Sequence, residues 1–383
     1  MKRIEGIHFQ TGEPVAVEMD NGVISSVTPI AKWDQSVLPM IAPGLVDLQI
    51  NGYGGMDFNA IPFVDHDVVR ITQALWKEGV TSYFPTVITQ SDARIEAAVR
   101  TIARVCERHP DVADCIAGIH VEGPFISPQQ GARGAHDPQY IKAPDWTLFE
   151  RWQAAAGGRI KIITLSPEWP EATDFIAKCV RAGVTVSIGH TAATPEQIRL
   201  AVQAGARLST HLGNGAHVML PRHPNYIWEQ LACDELWACV IADGFHLPAS
   251  VLKVVTRVKG NRAMLVSDAV ALAGMPPGAY DSPVGGKVVL SPAGKLSLAD
   301  TPEILAGSAQ MLPAGIQNLV FHNLASLSEA WAMASMRPSS FMQLETEGGL
   351  AVNGPADLVL FFADGGHIQI LQTYKRGRLV YTG

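Results

Sequence analysis

The sequence predicts an α/β fold, a (β/α)8 TIM-type barrel with a small β-sandwich domain built from both termini. Three observations support this prediction. Short apolar runs alternate with amphipathic stretches over most of the 383 residues. Eight of these runs have the features of strands, and eight is the number of strands in such a barrel. Both ends of the chain instead show the period-two alternation of antiparallel strands.

The eight predicted barrel strands are short apolar runs with many aliphatic residues. Parallel strands that are buried on both faces have this pattern, and crossover helices separate them along the chain. Helices are predicted at 65–79, 91–109 and 194–206, the last with Thr194 as its N-cap and Pro195 at its first position. The predicted strands are 44–50, 81–86, 115–121, 160–165, 184–189, 206–211, 237–242 and 263–268.

The two ends of the chain predict the β-sandwich domain, formed by residues 1–43 and 350–383. Their alternating runs are separated by Asn-Gly, Asp-Gly and Gly-Gly pairs, which are typical of tight hairpin turns. We therefore expect the ends to pair beside the barrel. Residues 44–349 then form the barrel as one insertion between the two halves of the sandwich.

Composition excludes several classes of partner. The formal net charge of −7 provides no overall basic field for nucleic acid or an anionic membrane surface. No apolar run reaches the roughly 18 residues of a membrane span, and the first residues lack the apolar core of a signal peptide. The five cysteines show no disulfide framework. These features predict a cytoplasmic protein that acts on a small molecule.

Reactive groups of such barrels lie at the carboxyl ends of the strands, where the connecting loops converge. Catalytic zinc sites commonly use three histidine or carboxylate ligands, and Glu122, His190 and His211 supply this set at three strand ends. Asp268, at the end of the last strand, is then placed to take a proton from water and return it to a leaving nitrogen. One strand-end histidine alone is more often structural, but the coincidence of four such residues favours metal-dependent amide hydrolysis.

Several blocks of sequence around these residues resemble the N-acetylglucosamine-6-phosphate deacetylase family of the amidohydrolase superfamily. The resemblance covers nearly the whole chain, and the blocks occur in the family's order. They are PGLVDLQINGYGGMDFN (43–59), HVEGPFISP (120–128), GHTAAT (189–194), THLGN (210–214), IADGFH (241–246) and LVSDA (265–269).

The resemblance implies hydrolysis of the N-acetyl group of an amino-sugar 6-phosphate, with N-acetylglucosamine 6-phosphate as the first expectation, to acetate and the amino sugar phosphate. It implies a homodimer and assigns roles at matching positions. The metal ligands are Glu122, His190 and His211; the catalytic residues are Asp268 and His246, which also contacts the sugar; the other substrate contacts are His136, Asn214, the Gly215 backbone and Arg222, an arginine often supplied by the neighbouring subunit.

The first barrel strand indicates how many metal ions to expect. Many members of the superfamily have an HxH pair there that holds a second metal, whereas this chain has Gln49 and Asn51. Amides are weak ligands for such ions. We therefore expect one divalent cation, with zinc as the first candidate and iron(II) or another divalent ion as alternatives.

The segment 213–228 departs from the family pattern. Asn214-Gly215-Ala216-His217 and Arg222-His223-Pro224-Asn225 stand where the family usually has Asn-Ala-Met and Arg-Glu-Pro-Gly. The changes concern the sugar and phosphate end of the pocket, where His217 and His223 are loop residues. Two alternatives stay open: a related amidohydrolase that acts on another N-acyl or cyclic amide, and a non-catalytic metal- or sugar-binding protein.

Overall fold

The computed structural model describes residues 1–31, 38–282, 286–364 and 367–383. The predicted Gly-Gly turn at 365–366 lies outside these ranges. No helix in the described ranges is long and apolar enough to cross a membrane.

A ring of parallel strands forms the centre of the fold. Within the described ranges it has eight strands, and each pairs with the next along the chain. The ring closes where Ile50 pairs with Ala269 and the Asp268 backbone N–H donates to the Gln49 carbonyl at 2.9 Å. The predicted fold class is thereby confirmed. In order, the strands are Leu45–Ile50, Val80–Ile88, Ile119–Glu122, Ile160–Leu165, Thr185–Ile188, Leu208–Ser209, Trp237–Val240 and Ala263–Leu265.

Several of the predicted strands are shorter in the structure, and the runs 237–242 and 263–268 end at Val240 and Leu265. In the run 115–121 only the last residues join the ladder, because Cys115 and Ile116 make separate contacts with Tyr83 and residues 117–118 are irregular. In the run 206–211 the ladder ends at Ser209. His211 has a φ of 28°, a left-handed conformation that cannot continue a strand.

The helices between the strands have the local signals that the sequence predicts. Thr194 caps the helix that begins at Pro195, and Gln197 completes a reciprocal capping box. The prediction at 65–79 becomes an α-helix followed by a single 3₁₀ turn. The α-helices are Asp65–Leu75, Asp92–Arg108, Pro110–Ala113, Trp146–Ala155, Ala172–Arg181, Pro195–Ala204, Tyr226–Ala232, Ala249–Lys259, Leu312–Phe321, Leu327–Met333 and Met336–Phe341; the 3₁₀ turns are Trp76–Glu78, Pro138–Tyr140, Gly260–Arg262 and Glu345–Gly348.

The interior of the barrel has an apolar layer and a polar layer. The apolar cluster takes alternate residues from the strands, since neighbouring residues of a strand point to opposite faces: Val46, Leu48, Phe84, Ile162, Leu208, Cys239, Ile241, Met264 and Val266. Above it, Thr164 hydrogen-bonds His120 Nε2 and Thr210 Oγ1, each at 2.7 Å. Ser187 Oγ also lies 2.5 Å from Thr210 Oγ1. This polar layer supports the strand ends on which the site is built.

Both termini contribute to a second sheet, as predicted. Its central strand, Met40–Pro43, pairs with the N-terminal strand Lys2–His8 on one side and with Leu358–Asp364 on the other. Asn21 and Gly22, with φ of 49° and 85°, form a hairpin turn of the expected kind. The other strands are Pro14–Asp20, Val23–Pro29, His367–Lys375 and Arg378–Thr382. The domain limits at 43/44 and 349/350 stay a prediction.

Two small sheets were not predicted. A hairpin pairs Gly52–Tyr53 with Met56–Asp57 directly after the first barrel strand. A three-stranded sheet of Gly278–Ser282, Gly286–Leu290 and Leu296–Leu298 follows the last one. Its apolar side packs against Val270, Leu272 and Met275. This packing anchors the loop that follows Asp268.

Candidate metal and catalytic site

Three predicted ligands converge at the carboxyl ends of their strands. Oε1 of Glu122 lies 3.0 Å from Nε2 of His211 and 3.3 Å from Nε2 of His190. The two Nε2 atoms are 3.1 Å apart. All three side chains are buried. One atom of each ligand therefore faces a common point.

The chemistry of these donors fits a cation. Nδ1 of His190 lies 3.0 Å from the carbonyl oxygen of Ala132, which can only accept, so Nδ1 carries the proton and Nε2 presents its lone pair. The buried Glu122 carboxylate and the lone pair on His190 Nε2 are both acceptors, so neither can donate a hydrogen bond to the other. A divalent cation is the partner that such a donor set takes.

The backbone at the site is strained. His190, His211 and Asp268 have φ values of 47°, 28° and 47°, in the left-handed region that residues with a Cβ rarely adopt. Each such residue costs about 1–3 kcal/mol, and such conformations concentrate at functional sites. In this chain they turn three strand-end side chains towards the barrel mouth.

Asp268 lies beside the ligands and is held by an amide. Nδ2 of Asn51 donates a hydrogen bond of 2.8 Å to its Oδ1. Burial raises the pKa of the Asp268 carboxyl to about 6, although the nearby His211 and the Asn51 hydrogen bond act in the opposite direction. A carboxyl with a pKa near neutrality is suited to accept and return a proton.

Gln49 makes a similar amide contact with Glu122, one of the candidate metal ligands. Its Nε2 donates to Glu122 Oε1 at 3.0 Å. Burial alone would raise the pKa of Glu122, but the adjacent imidazoles of His190 and His211 hold that pKa well below its usual range. Both amides of the first strand thus orient carboxylates, which sequence reasoning missed because it considered them only as weak ligands.

His246 is oriented by a residue that the sequence analysis left without a role. Oδ2 of Asp243 lies 2.7 Å from Nδ1 of His246, and Oδ1 accepts the backbone N–H groups of Phe245 and His246 at 2.9 Å. Burial would raise the pKa of Asp243, but the His246 hydrogen bond outweighs it and lowers the pKa. Because the carboxylate accepts from Nδ1, Nε2 of His246 is left for another partner. The spacing Asp-x-x-His was the available signal.

Two further predicted residues surround His190. Nε2 of His136 lies 3.3 Å from Nε2 of His190, and burial lowers the pKa of His136 to about 3, so its ring is neutral. Ligand atoms of Glu122, His136 and His190 all lie within 4.8 Å of one another. At Gly215 an added Cβ would lie 2.5 Å from His190 Nδ1, so only glycine fits against that ring.

The remaining predicted residues lie on the loop after His211. Asn214 Nδ2 donates to the His211 carbonyl oxygen at 3.2 Å, which ties the loop to the strand end. Arg222 is exposed and makes no hydrogen bond or ion pair with the residues that the structure describes. The structure thus brings seven of the predicted residues close to one another: Glu122, His136, His190, His211, Asn214, Gly215 and Asp268. His246 is held separately by Asp243, and Arg222 lies at the surface.

Comparison with known proteins agrees with this site. The model of the amidohydrolase family matches residues 40–380. An N-acetylglucosamine-6-phosphate deacetylase of Lysinibacillus sphaericus is 33% identical over 88% of this chain and 85% of its own. An N-acetylgalactosamine-6-phosphate deacetylase of Shewanella sp. is 30% identical, over 96% and 92%.

A solved structure has the same fold over the full length. It is a mutant N-acetyl-D-glucosamine-6-phosphate deacetylase from Mycobacterium smegmatis in complex with N-acetyl-D-glucosamine-6-phosphate, and it matches with a TM-score of 0.86 at 27% identity, covering 100% of both chains. The chain therefore belongs to the amidohydrolase family and, within it, to the N-acetylglucosamine-6-phosphate deacetylase family.

Proposed function

We propose that this metal-dependent amidohydrolase removes the N-acetyl group from an amino-sugar 6-phosphate, with N-acetylglucosamine 6-phosphate as the first substrate to test. Water is consumed, and acetate and the amino sugar phosphate are released. One observation carries the proposal: three ligand atoms at 3.0–3.3 Å from one another lie beside an aspartate that an amide holds in place. The relatives that carry deacetylase names support the same substrate class.

Glu122, His190 and His211 would hold one divalent cation, and zinc suits two imidazoles and a carboxylate. When bound, the cation acts as a Lewis acid that polarises the scissile carbonyl and makes water more acidic. Gln49 and Asn51 support a single ion, because amides are weak ligands for such ions. Their Nε2 and Nδ2 atoms instead donate to Glu122 and Asp268.

Asp268 would move the proton. As a carboxylate it accepts a proton from the attacking water at one oxygen, while Asn51 fixes the other. As a carboxylic acid it then returns the proton to the amide nitrogen, which leaves as an amine. Burial supports this role because it raises the pKa of Asp268 to about 6.

His246 and His136 would position the substrate. The Asp243 carboxylate accepts from Nδ1 of His246, so a protonated Nε2 can donate to the developing oxyanion and a neutral one can accept from a sugar hydroxyl. His136 stays neutral beside His190 and offers a second contact.

The phosphate would be bound by Asn214, the Gly215 backbone and an Arg222 from a neighbouring subunit, in a homodimer. Exposed apolar side chains beside Arg222 support this arrangement: Val218 and Met219 on the loop are 98% and 86% exposed, and Trp228 on the following helix is half exposed. A cluster of exposed apolar side chains is typical of an interface. We further propose a cytoplasmic location, because all five cysteines are free.

Acetate release by the zinc-loaded protein tests the proposal. The substrates are N-acetylglucosamine 6-phosphate, its galacto epimer and both sugars without phosphate. We expect release from a phosphorylated sugar, and loss of release after chelation with recovery on addition of zinc. Turnover that survives complete metal removal, or turnover of only the unphosphorylated sugars, would contradict it.

A further inference from the structure

An arginine with no partner among the described residues lies in the loop that contacts His190. Arg133 is half-buried, and its Nε is shielded from solvent and has no hydrogen-bond partner. Its guanidinium forms no ion pair or hydrogen bond with any residue in the described ranges. A guanidinium has five N–H donors, and a buried donor left unpaired costs about 1–3 kcal/mol or more. Such a group is explained when its partner is a ligand.

The backbone around Arg133 connects it directly to the metal site. The carbonyl oxygen of Ala132 holds His190 Nδ1 at 3.0 Å. On the other side, a Cβ at Gly134 would lie 3.1 Å from His190 Cε1. Arg133 therefore lies between two residues that contact His190, a candidate metal ligand. Its backbone N–H donates to the Gln129 carbonyl oxygen at 3.0 Å, which closes a turn of the loop.

His217 lies against the same loop and presents an N–H group. A Cβ at Gly131 would lie 3.0 Å from the Cα of His217 and 3.2 Å from its Cδ2. The buried Tyr226 hydroxyl accepts the His217 backbone N–H at 2.8 Å and lies 2.9 Å from His217 Nδ1. A buried hydroxyl also needs an acceptor, and Nδ1 provides it. This arrangement puts the ring proton of His217 on Nε2.

We propose that Arg133 and His217 bind the phosphate of the substrate from within the same subunit that holds the metal. The inference rests on the proposed function. A guanidinium matches a phosphate with two parallel hydrogen bonds, and a neutral imidazole N–H adds a third. His217 is also a departure from the family pattern at the phosphate end of the pocket, where the chain has Ala216-His217. This subunit thus adds two side-chain contacts to those proposed for Asn214, the Gly215 backbone and the neighbour's Arg222.

The ratio of kcat/KM for N-acetylglucosamine 6-phosphate to that for N-acetylglucosamine tests this inference. In Arg133→Gln the ratio falls at least about tenfold, as expected for the loss of charge-assisted hydrogen bonds, and the fall comes from KM rather than kcat. Arg133→Lys keeps the charge and recovers part of the ratio. Arg181→Gln, which removes an exposed arginine at a helix end, is the matched control and keeps the ratio.

Metal content and a second variant distinguish binding from folding. If Arg133→Gln loses zinc, His217→Phe becomes the deciding variant, because it keeps an aromatic ring and removes the Nε2 donor together with the Nδ1 contact to Tyr226. An unchanged ratio in His217→Phe and in any zinc-loaded Arg133 variant overturns the inference. An equal loss of activity towards both sugars also overturns it, since that result indicates a structural role.

Calorimetry separates this inference from the proposed function. Glucose 6-phosphate and glucose carry no acetyl group, so their binding does not depend on hydrolysis. Wild type binds glucose 6-phosphate more tightly than glucose, and Arg133→Gln loses most of that difference. If no acetylated sugar is hydrolysed, the proposed function fails while this difference still decides the role of Arg133. The inference is overturned if the wild type and Arg133→Gln each bind glucose 6-phosphate and glucose with equal affinity.

Discussion

The amide nitrogen of Asn51 lies 2.8 Å from Oδ1 of Asp268, across the seam where the first and last barrel strands meet. The backbone N–H of Asn51 also donates to the Ala269 carbonyl oxygen at 2.8 Å, next to Asp268. The contacts that close the barrel therefore also orient Asp268, the candidate proton carrier. Gln49, two residues earlier, makes the equivalent contact with Glu122.

Replacement of Asp268 by asparagine removes the proton acceptor and keeps the shape of the side chain. We expect kcat to fall by about 10²–10⁴-fold, the usual contribution of a positioned general acid or base. Zinc content should stay at the wild-type level, since Asp268 is not in the proposed ligand set. Measurement of both quantities on one preparation checks the assignment, and wild-type turnover by this variant would contradict it.

Replacement of Asn51 by alanine should move the acidic limb of the kcat/KM profile to higher pH. The active form of Asp268 is the carboxylate, so activity is lost as pH falls through its pKa. The pKa is about 6 in the metal-free protein, and a bound cation lowers it. The hydrogen bond from Asn51 lowers the pKa of Asp268. Removal of this charge-assisted bond should therefore raise that pKa by about one pH unit. A limb at the wild-type position would show that the hydrogen bond does not tune Asp268.

Replacement of Gly215 by alanine should weaken metal binding. The added methyl group would lie 2.5 Å from His190 Nδ1, where it competes with the hydrogen bond to Ala132. Disturbing a contact that orients a ligand typically costs about 10–100-fold in metal affinity. Gly157→Ala is the matched control: Gly157 has nearly the same φ, 59° against 57°, but nothing lies within 4 Å of an added Cβ there. Competition with a chelator measures both variants, and equal affinities would refute the prediction.

The pair Lys375–Asp357 should stabilise the contact between the terminal sheet and the barrel. Its atoms are 2.6 Å apart, both side chains are buried, and Lys375 Nζ also lies 3.4 Å from Ser82 Oγ on the second barrel strand. Lys375→Met leaves a buried carboxylate without its cation, so we expect a loss of about 3–5 kcal/mol in the free energy of unfolding.

The exposed pair Lys178–Asp174 provides the control for that measurement. Its atoms are 2.8 Å apart, but the side chains are 36% and 72% exposed. Lys178→Met should therefore cost no more than about 0.5 kcal/mol in urea denaturation. Similar losses in the two variants would mean that burial does not determine the contribution of the Lys375–Asp357 pair.

The architecture was predictable because its signals are local. Apolar runs mark the barrel strands, and capping residues such as Thr194 mark the helices. The grouping of Glu122, His190, His211 and Asp268 was predictable because each lies at or just after the end of a predicted strand. The small three-stranded sheet after the last barrel strand was not predicted, since its apolar side packs on the loop after Asp268, a contact that the sequence alone does not show.

The contacts that orient the site were harder to predict. Asn51 and Asp268 are 217 residues apart in sequence, and only closure of the ring makes them neighbours. The pairing of Gln49 with Glu122 likewise joins strands one and three across the mouth of the barrel. Arg133 has no motif that a sequence pattern would mark, because its distinguishing feature is the lack of a protein partner.

The most direct test of the central claim is an anomalous difference map from crystals of the zinc-loaded protein, recorded at the zinc absorption edge. We expect one peak per chain, about 2.0–2.2 Å from Nε2 of His190, Nε2 of His211 and a carboxylate oxygen of Glu122. Glu122→Gln should weaken or abolish that peak. A wild-type map with no peak between these three side chains, or with its zinc held elsewhere, would contradict the account.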